Sequence, residues 1–138
     1  MKNKILEVSK KFSNGVTVVN ATPHPINMLS PEGETVVVPT SVPEGERTGC
    51  VVINAKAVET QVSQFLVKTV FEPTSEGESI LKEIEEVFAG EENVMVIGSI
   101  IAMNAFPGKV RGMVPAPGFE RVPPAEKLMS CEKFNTAQ

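Results

Sequence analysis

The fold is decided by residues 94–108, whose sequence is VMVIGSIIAMNAFPG. The continuous apolar run Val94–Ile97 predicts a buried central strand. Gly98-Ser99 predicts a turn, and Ile100–Phe106 a short helix that Pro107-Gly108 stops. A strand, a turn and a helix start bring free backbone N–H groups and the positive end of a helix dipole to one point, which suits a phosphate or carboxylate. A single glycine makes this signal weakly specific.

The segment before this stretch predicts the longest helix, over residues 75–89. Ser75 and Glu78 have the spacing of a capping box, and Gly90 supplies a left-handed stop. One face carries an apolar stripe at helical spacing, which is either core or a subunit contact. Its members are Ile80, Leu81, Ile84, Val87 and Phe88.

Short runs of β-branched residues between turn signals predict the strands. The longest, Thr60–Phe71, alternates imperfectly and is predicted to be one strand buried on part of both faces. The predicted strands are Gly15–Asn20, Ile26–Leu29, Thr35–Val38, Cys50–Asn54, Thr60–Phe71, Val94–Ile97 and Val110–Val114.

The predicted fold class is α+β, with a small antiparallel or mixed β-sheet core, one clear amphipathic helix, a short second helix and a proline-rich C-terminal arm. A chain of 138 residues fits one domain. Its predicted parts are a leader (1–14), mostly strands (15–72), the helix (75–89), a strand-turn-helix-strand unit (94–114) and the arm (115–138), with a helical turn over Pro124–Met129.

Composition narrows the class of protein. No signal-peptide core and no run of about 20 apolar residues is present, and two unpatterned cysteines suit a reduced, cytoplasmic protein. The chain has no Trp and no Tyr, which argues against a nucleic-acid platform of interleaved aromatic and basic residues. Neither polymeric nucleic acid nor a membrane is expected as a partner.

Charge is unevenly distributed along the chain. Residues 12–93 contain 4 Lys and Arg against 13 Glu, whereas residues 94–138 contain 5 basic against 3 acidic residues. The last third could therefore hold an anionic small molecule, although five cations are also ordinary for a solvated face. The five are Lys109, Arg111, Arg121, Lys127 and Lys133.

The residue types argue against an enzyme and against a bound metal or other cofactor. His24 is the only histidine, and every acidic residue is Glu. Metal and phosphodiesterase sites usually gather several His or Asp ligands. Cys50, flanked by β-branched residues, is expected to be a buried strand cysteine rather than a nucleophile.

The turn ATPHP after the first predicted strand offers polar side chains. Asn20 and Thr22 suit hydrogen bonds to nearby backbone, because both side chains commonly tie down turns. His24 either caps the turn or contacts a ligand. The turn is therefore either structural or part of a second site.

The arm segment PGFERVPPAEK, residues 117–127, suits anion binding. Its prolines restrict an irregular backbone before any ligand arrives, so fixing Arg121 and Lys127 costs less entropy at binding. Arg121 offers a bidentate fork and Phe119 a ring for stacking. In the alternative interpretation Arg121 pairs with Glu120 or Glu126 and only pins the arm.

Three segments resemble the phage-encoded Thoeris anti-defence sponge family of the first described type. They are VVNATPHPIN, GSIIAMNAFPGKV and PAPGFERVPPAEKLMSCEKF, in this order. The resemblance covers the turn near residue 20 and most of residues 94–134, and the proline spacing of the last segment is its most specific element. Residues 30–93 do not take part in it.

The resemblance implies a bacteriophage protein of the infected cell's cytoplasm that traps glycocyclic ADP-ribose signals of TIR-domain enzymes without cleaving them. It also implies sequestration of the cyclic di- and trinucleotides of CBASS immunity at a separate pocket, and a homo-oligomer, dimer or hexamer. Carried over by position, Asn104 and Arg121 are the first candidates for ligand contacts. Phe106, Phe119, Lys127 and the turn residue Ser99 are further candidates.

Two other functions remain open on the sequence. One is a nucleotide-signal hydrolase that uses His24. The other is a non-enzymatic module in which the arm docks on another protein. A pocket deep enough for a sponge is hard to build from 138 residues, so we expect a second subunit to complete it, with the helix from Glu76 to Ala89 as the contact.

Overall fold

The computed structural model describes all 138 residues and confirms the α+β class. Nine strands and three helices form one seven-stranded mixed sheet, a separate two-stranded hairpin and a helical layer. In chain order the elements are α1 (Lys2–Glu7), β1 (Ser9–Lys11), β2 (Thr17–Asn20), β3 (Ile26–Leu29), β4 (Thr35–Val38), β5 (Lys56–Gln61), β6 (Val67–Glu72), α2 (Ser75–Val87), β7 (Val94–Ile97), α3 (Ile100–Ala105), β8 (Val110–Pro115), a 3-10 turn (Pro124–Glu126) and β9 (Met129–Asn135).

The order of strands in the large sheet is β1-β2-β7-β8-β9-β3-β4. The neighbours β2, β7 and β8 are parallel to one another, with β7 in the middle as its apolar sequence predicts. β9 runs antiparallel to β8 and parallel to β3, while β1 and β4 pair antiparallel at the two edges. The predicted strands Ile26–Leu29, Thr35–Val38 and Val94–Ile97 are confirmed at their bounds.

The large sheet curls until β4 approaches β2. The buried side-chain amide of Asn20, at the end of β2, donates to the carbonyl oxygens of Val38 (3.2 Å) and Pro39 (3.0 Å) at the end of β4. The curl encloses an apolar cluster on the inner face of the sheet. Its buried members are Phe12, Val18, Ile26, Met28, Val38, Ile97 and Cys131.

The outer face of the sheet packs against the helices. Val18 belongs to the inner cluster and Val19 to the outer one, because successive strand residues point to opposite faces. From α2 the residues Leu81, Ile84 and the adjoining Phe88 are buried in the outer cluster. The apolar stripe is therefore core, and it leaves little apolar surface for the subunit contact that the sequence also allowed.

The predicted helix over residues 75–89 is confirmed, but its cap is one residue earlier than expected. Thr74, not Ser75, is the N-cap: its Oγ1 accepts from the Gly77 N–H at 3.0 Å and donates to the Asn54 carbonyl at 2.9 Å. The hydrogen bond to Asn54 explains why Thr74 and not Ser75 is the N-cap, because it ties the start of the helix to the 51–55 segment beneath it.

One predicted strand in the first part of the chain is wrong, and the leader contains two further elements. Residues 1–14, predicted only as a leader, contain α1 and β1. Residues 50–54 are not a strand: a turn at 50–51 leads into residues without regular structure, and the Ile53 N–H donates to the carbonyl of Ala21, just beyond β2, at 3.1 Å. Cys50 is accordingly exposed, not buried.

The predicted long strand Thr60–Phe71 is also wrong. The chain reverses over Val62–Leu66, where the Val62 N–H donates to the Leu66 carbonyl at 2.9 Å, and it forms the β5–β6 hairpin. Every residue from 59 to 70 is exposed, so neither face is buried there. The reversal contains neither Gly nor Pro, and alternating residues fit one long strand and two short ones equally well.

The proline-rich arm is shorter than predicted. Residues 116–128, which we call the proline loop, connect β8 to β9, and the helical turn within it covers Pro124–Glu126. The next residues form β9, whose sequence MSCEKFN alternates too poorly to predict a strand. None of the helices is both long enough and apolar enough to cross a bilayer.

Gly77 provides a test of the packing between α2 and α3. A Cβ at this position would lie 2.6 Å from Phe106 Cζ and 2.9 Å from Thr74 Oγ1. Alanine normally stabilises a helix by about 1 kcal/mol over glycine. We nevertheless expect Gly77→Ala to lower the free energy of unfolding in urea by roughly 1–3 kcal/mol, because overpacking outweighs propensity.

The exposed Ser79 in the same helix is the matched control. Ser79→Ala should leave the unfolding free energy unchanged or raise it by a few tenths of a kcal/mol. A Gly77→Ala protein more stable than the parent would contradict the close approach of Phe106.

Candidate functional site

The carboxyl ends of three parallel strands meet at one edge of the sheet, which we call the carboxyl edge. The turn 21–25 follows β2, the Gly98-Ser99 turn and α3 follow β7, and the proline loop follows β8. Ligands of α/β sheets commonly bind at the carboxyl ends of strands. The three segments that the sequence indicated as candidate sites therefore begin at the same end of the sheet.

Asn20 holds the first of these segments and is itself inaccessible, with 0% of its surface exposed. Besides its two bonds to the end of β4, its Nδ2 donates to the His24 carbonyl at 2.8 Å. Its Oδ1 accepts from the Thr22 backbone N–H (2.9 Å) and from Thr22 Oγ1 (2.6 Å). These contacts use both ends of the amide, so Asn20 acts on the turn and not on a ligand.

Thr22 and His24 complete the turn in different ways. Thr22 is buried, and its Oγ1 also lies 2.9 Å from the His24 carbonyl. Thr40 Oγ1 donates to the Thr22 carbonyl at 2.8 Å. His24 joins this network only through its backbone, and its exposed imidazole makes no hydrogen bond to the protein. The imidazole is thus the one group of the turn that is free to meet a ligand.

The second segment presents Ser99 and Asn104. Ser99 is the N-cap of α3, where its Oγ accepts from the Ala102 N–H at 3.1 Å. A Cβ on Gly98 would lie 2.6 Å from Val110 Cγ1, so this glycine allows the turn to pack closely on β8. Asn104 is exposed on α3, and its amide has no hydrogen-bond partner in the protein.

The proline loop presents Arg121 on a stiff backbone. Pro117 and Gly118 (φ +90°) occupy the centre of a type II turn, which the Phe119 N–H closes onto the Ala116 carbonyl at 2.9 Å. A backbone bond from Ala116 to Leu128 (2.8 Å) closes the base of the loop. Arg121 is exposed and forms no ion pair, so the alternative pairing with Glu120 or Glu126 is absent.

The two candidate aromatic rings differ in access. Phe119 is half-buried in the proline loop. Phe106 is 5% exposed and belongs to the outer core cluster, where its ring tip faces Gly77. Its position in the core leaves it no face on which a base could stack.

The cavity at the carboxyl edge is small. Lys127 and Pro124 from the proline loop meet Pro25 and Asn27 around a cavity of about 180 Å³. Small-molecule sites usually measure ~300–1,000 Å³. The carboxyl edge of a single chain is therefore an open surface with shallow recesses. The recess lined by Lys127 brings the proline loop to the turn, and Asn104 does not line it.

A larger groove lies between α2 and the chain that leads into β8. Its two adjoining parts measure about 580 and 360 Å³ and share Leu81, Glu85 and Lys109. Lys109 and Glu85 approach to 3.8 Å across it. From the sequence, Lys109 and Arg111 are predicted only as charges of the last third, because no local pattern shows that Pro107-Gly108 returns the chain to α2.

The charged residues that line this groove favour neither an anionic nor a cationic ligand. Lys82, Lys109 and Arg111 are balanced by Glu78, Glu85 and Glu91 among its lining residues. Across the whole chain, no group of three or more His, Cys, Asp or Glu side chains is placed to hold a metal ion.

No protein-family model, no curated protein and no solved structure matches the chain. The geometry of the carboxyl edge is thus the basis for any functional argument.

Replacing the Asn20 amide tests its role in the turn. Asn20→Asp removes the donor that faces three carbonyl oxygens in a buried position, so we expect unfolding free energy to fall by about 3 kcal/mol or more. Urea denaturation at neutral pH measures the change. Asn27→Asp, on the exposed face of β3, is the control and should change stability by less than about 0.5 kcal/mol. Equal effects of the two substitutions would contradict the structural role.

The two cysteines should differ in reactivity. Burial raises the pKa of the Cys131 thiol, and the nearby carboxylates of Glu132 and Glu32 raise it further, against a smaller opposing effect of a backbone hydrogen bond. Because the thiolate is the reacting form, Ellman's reagent at pH 8 should label exposed Cys50 quickly and Cys131 only after denaturant is added. Rapid labelling of both thiols in the folded protein would contradict the buried position of β9.

Proposed function

We propose that this protein binds and sequesters cyclic nucleotide-type immune signals without cleaving them. Glycocyclic ADP-ribose made by TIR-domain enzymes is the main ligand, and CBASS cyclic di- or trinucleotides are secondary ones. The observation that supports the proposal is the pair of exposed, unpartnered side chains Asn104 and Arg121, each on a segment that follows a strand of the carboxyl edge.

The chemistry of these groups suits the pyrophosphate, ribose and base of such a ligand. Arg121 can donate two parallel hydrogen bonds to phosphate oxygens, and Lys127 adds a second cation from the same loop. The Asn104 amide can both donate and accept. Ser99 and the half-buried ring of Phe119 lie on the same three segments and supply a hydroxyl and an apolar contact.

A restrained backbone around Arg121 increases the affinity that an exposed site can reach. The type II turn and the bond that closes the base of the proline loop fix the backbone around Arg121 before a ligand arrives. Less conformational entropy is then lost at binding. Retention of a signal depends on this preorganisation, because the site gains nothing from a chemical step.

A second copy of the chain completes the pocket in this proposal. The recess of about 180 Å³ cannot enclose a dinucleotide-sized molecule, and closed homo-oligomers commonly share sites between subunits. A dimer, or a hexamer built from dimers, places a second surface over the carboxyl edge. The protein acts in this form in the cytoplasm of the infected bacterium, where the signals are produced.

One specific observation favours a hydrolase as the second candidate. The His24 imidazole is exposed and unpartnered at the carboxyl edge, where it is free to act as a general base. The two functions differ in the fate of the ligand. Incubation with glycocyclic ADP-ribose, heat denaturation and mass spectrometry of the supernatant should recover the intact signal from a sequestrant and a cleaved product from a hydrolase.

Arg121→Ala tests the proposed ligand site. Loss of a charge-assisted contact costs about 1.5–3 kcal/mol, so we expect the Kd for glycocyclic ADP-ribose to rise at least about tenfold. Calorimetry measures the affinity, and circular dichroism should show an unchanged fold because Arg121 is exposed and forms no ion pair within the chain.

Arg47→Ala is the matched control, since Arg47 is an exposed arginine in a loop outside the three segments. It should leave the affinity unchanged. Equal affinities of the parent and the Arg121→Ala protein would remove the proline loop from the site, and failure of any cyclic nucleotide to raise the melting temperature would favour a protein-interaction module.

A further inference from the structure

The β5–β6 hairpin has the least support from the rest of the chain. Phe65 is 86% exposed, Val62 65% and Leu66 64%, and only the base of the hairpin is packed, through Phe71 against the outer core cluster. Two strands alone are marginally stable in water, whereas three strands or a covering helix give a stable sheet. A third strand would therefore supply what this hairpin lacks.

One edge of the hairpin is open to such a strand. β6 lies against α3, so β5 forms the outer side of the hairpin, and every residue of β5 except Val58 is exposed. β5 pairs with β6 over six residues without a bulge, and it contains neither Pro nor Gly. The edges of the large sheet are less accessible, because β1 has only three residues and β4 approaches β2. Long regular edges are the ones that accept a further strand.

The register of the hairpin shows which backbone groups face outward. The Val62 N–H donates to the Leu66 carbonyl, so every second residue pair from there along the ladder is bonded within the hairpin. The residues between those pairs, Ala57, Glu59 and Gln61, direct their N–H and C=O groups away from β6. None of these groups bonds to another strand or to a loop of the protein.

We propose that the outer edge of β5 docks an extended segment of another protein as an antiparallel third strand, with a basic residue between two β-branched residues. Unpaired N–H and C=O groups at every second residue match another extended backbone, and neither a helix nor a small ligand can satisfy them together. The basic residue lies opposite Glu59. The β-branched residues lie opposite Val58 and Thr60, where they continue the apolar face that Val58 and Val70 form.

Charge favours a basic segment at this edge. Glu59 is opposed by the neutral Thr69 within the hairpin and forms no ion pair, so its carboxylate is available to a cation of the partner. The surrounding chain is acidic as well, since residues 12–93 contain 4 Lys and Arg against 13 Glu. A field of this sign attracts a basic segment before the strands pair.

The same glutamate disfavours a second copy of the chain as the occupant. When two β5 edges pair antiparallel, the register that engages all three outward residues centres on Glu59 and sets the two Glu59 carboxylates directly opposite each other. A shift by two residues in either direction places one of the three beyond the end of the other β5. The edge is therefore better matched to a basic partner than to itself.

The first test uses the peptide acetyl-Thr-Val-Lys-Val-Thr-amide and the ¹⁵N-labelled protein, without any nucleotide, so its result is independent of the ligand proposed above. Titration should shift the β5 amide resonances, and bound peptide should slow hydrogen exchange at Ala57, Glu59 and Gln61. The expected Kd is millimolar, because the peptide is short and flexible. Unshifted β5 resonances at millimolar peptide overturn the proposal.

Backbone methylation of the peptide provides the matched control. N-methylation of the lysine and both threonines removes the three donors that face β5, so we expect the Kd to rise at least about tenfold. N-methylation of the two valines alters amides that face away and should leave the Kd unchanged. Equal or reversed effects of the two methylation patterns overturn the antiparallel pairing.

The second test exchanges the charge at the centre of the strand. Glu59→Lys should weaken binding of the lysine peptide about tenfold and bind acetyl-Thr-Val-Glu-Val-Thr-amide in preference to it. Glu132→Lys makes the same change at an exposed strand residue outside the hairpin and should keep the parent's preference. Circular dichroism controls for folding. An unchanged preference in Glu59→Lys overturns the proposal, and so does protection of the three β5 amides by raised protein concentration alone, which would assign the edge to a second copy.

Discussion

The buried amide of Asn20 is the contact on which the shape of the molecule depends. One NH₂ group faces the carbonyl oxygens of His24, Val38 and Pro39, while the amide oxygen receives both donors of Thr22. An interior amide is favourable only when such partners are present, because unpaired polar groups are costly away from water. The end of β2, the turn and the end of β4 are therefore fixed relative to one another, and the inner cluster is enclosed as a result.

The elements that sequence analysis predicted well are those whose signals are local. Val94–Ile97 is apolar throughout, and Ile26–Leu29 and Thr35–Val38 are bounded by proline or glycine turn residues, so their bounds follow from a few neighbouring residues. The hairpin at 62–66 reverses without glycine or proline. β9 forms because β8 and β3 flank it and not because its own residues favour a strand. Strands that depend on such tertiary contacts cannot be predicted from the local sequence pattern.

The residue types of the proposed site follow from the sequence, but their accessibility does not. Arg121 is proposed from its proline-rich segment and from the family resemblance, Asn104 from the resemblance alone, and both are exposed in the structure. Phe106 is likewise a candidate for ligand contact in the sequence. The structure instead buries it in the outer core cluster, where α2 packs on α3. Asn20 follows three β-branched residues and resembles a turn cap, but its reach to β4 depends on the curl of the whole sheet. The groove beside α2 likewise arises from elements distant in sequence.

The position of β9 between β8 and β3 has a consequence for synthesis of the chain. The β3–β4 hairpin joins the rest of the sheet through β9, which emerges from the ribosome about a hundred residues later. Closing so long a loop is entropically slow, and pairings between distant segments delay folding. Until β9 arrives, the unpaired edge of β3 and the apolar residues Ile26 and Met28 remain open in the nascent chain, so this stage is the one at which a chaperone, or an aggregate, competes for the protein.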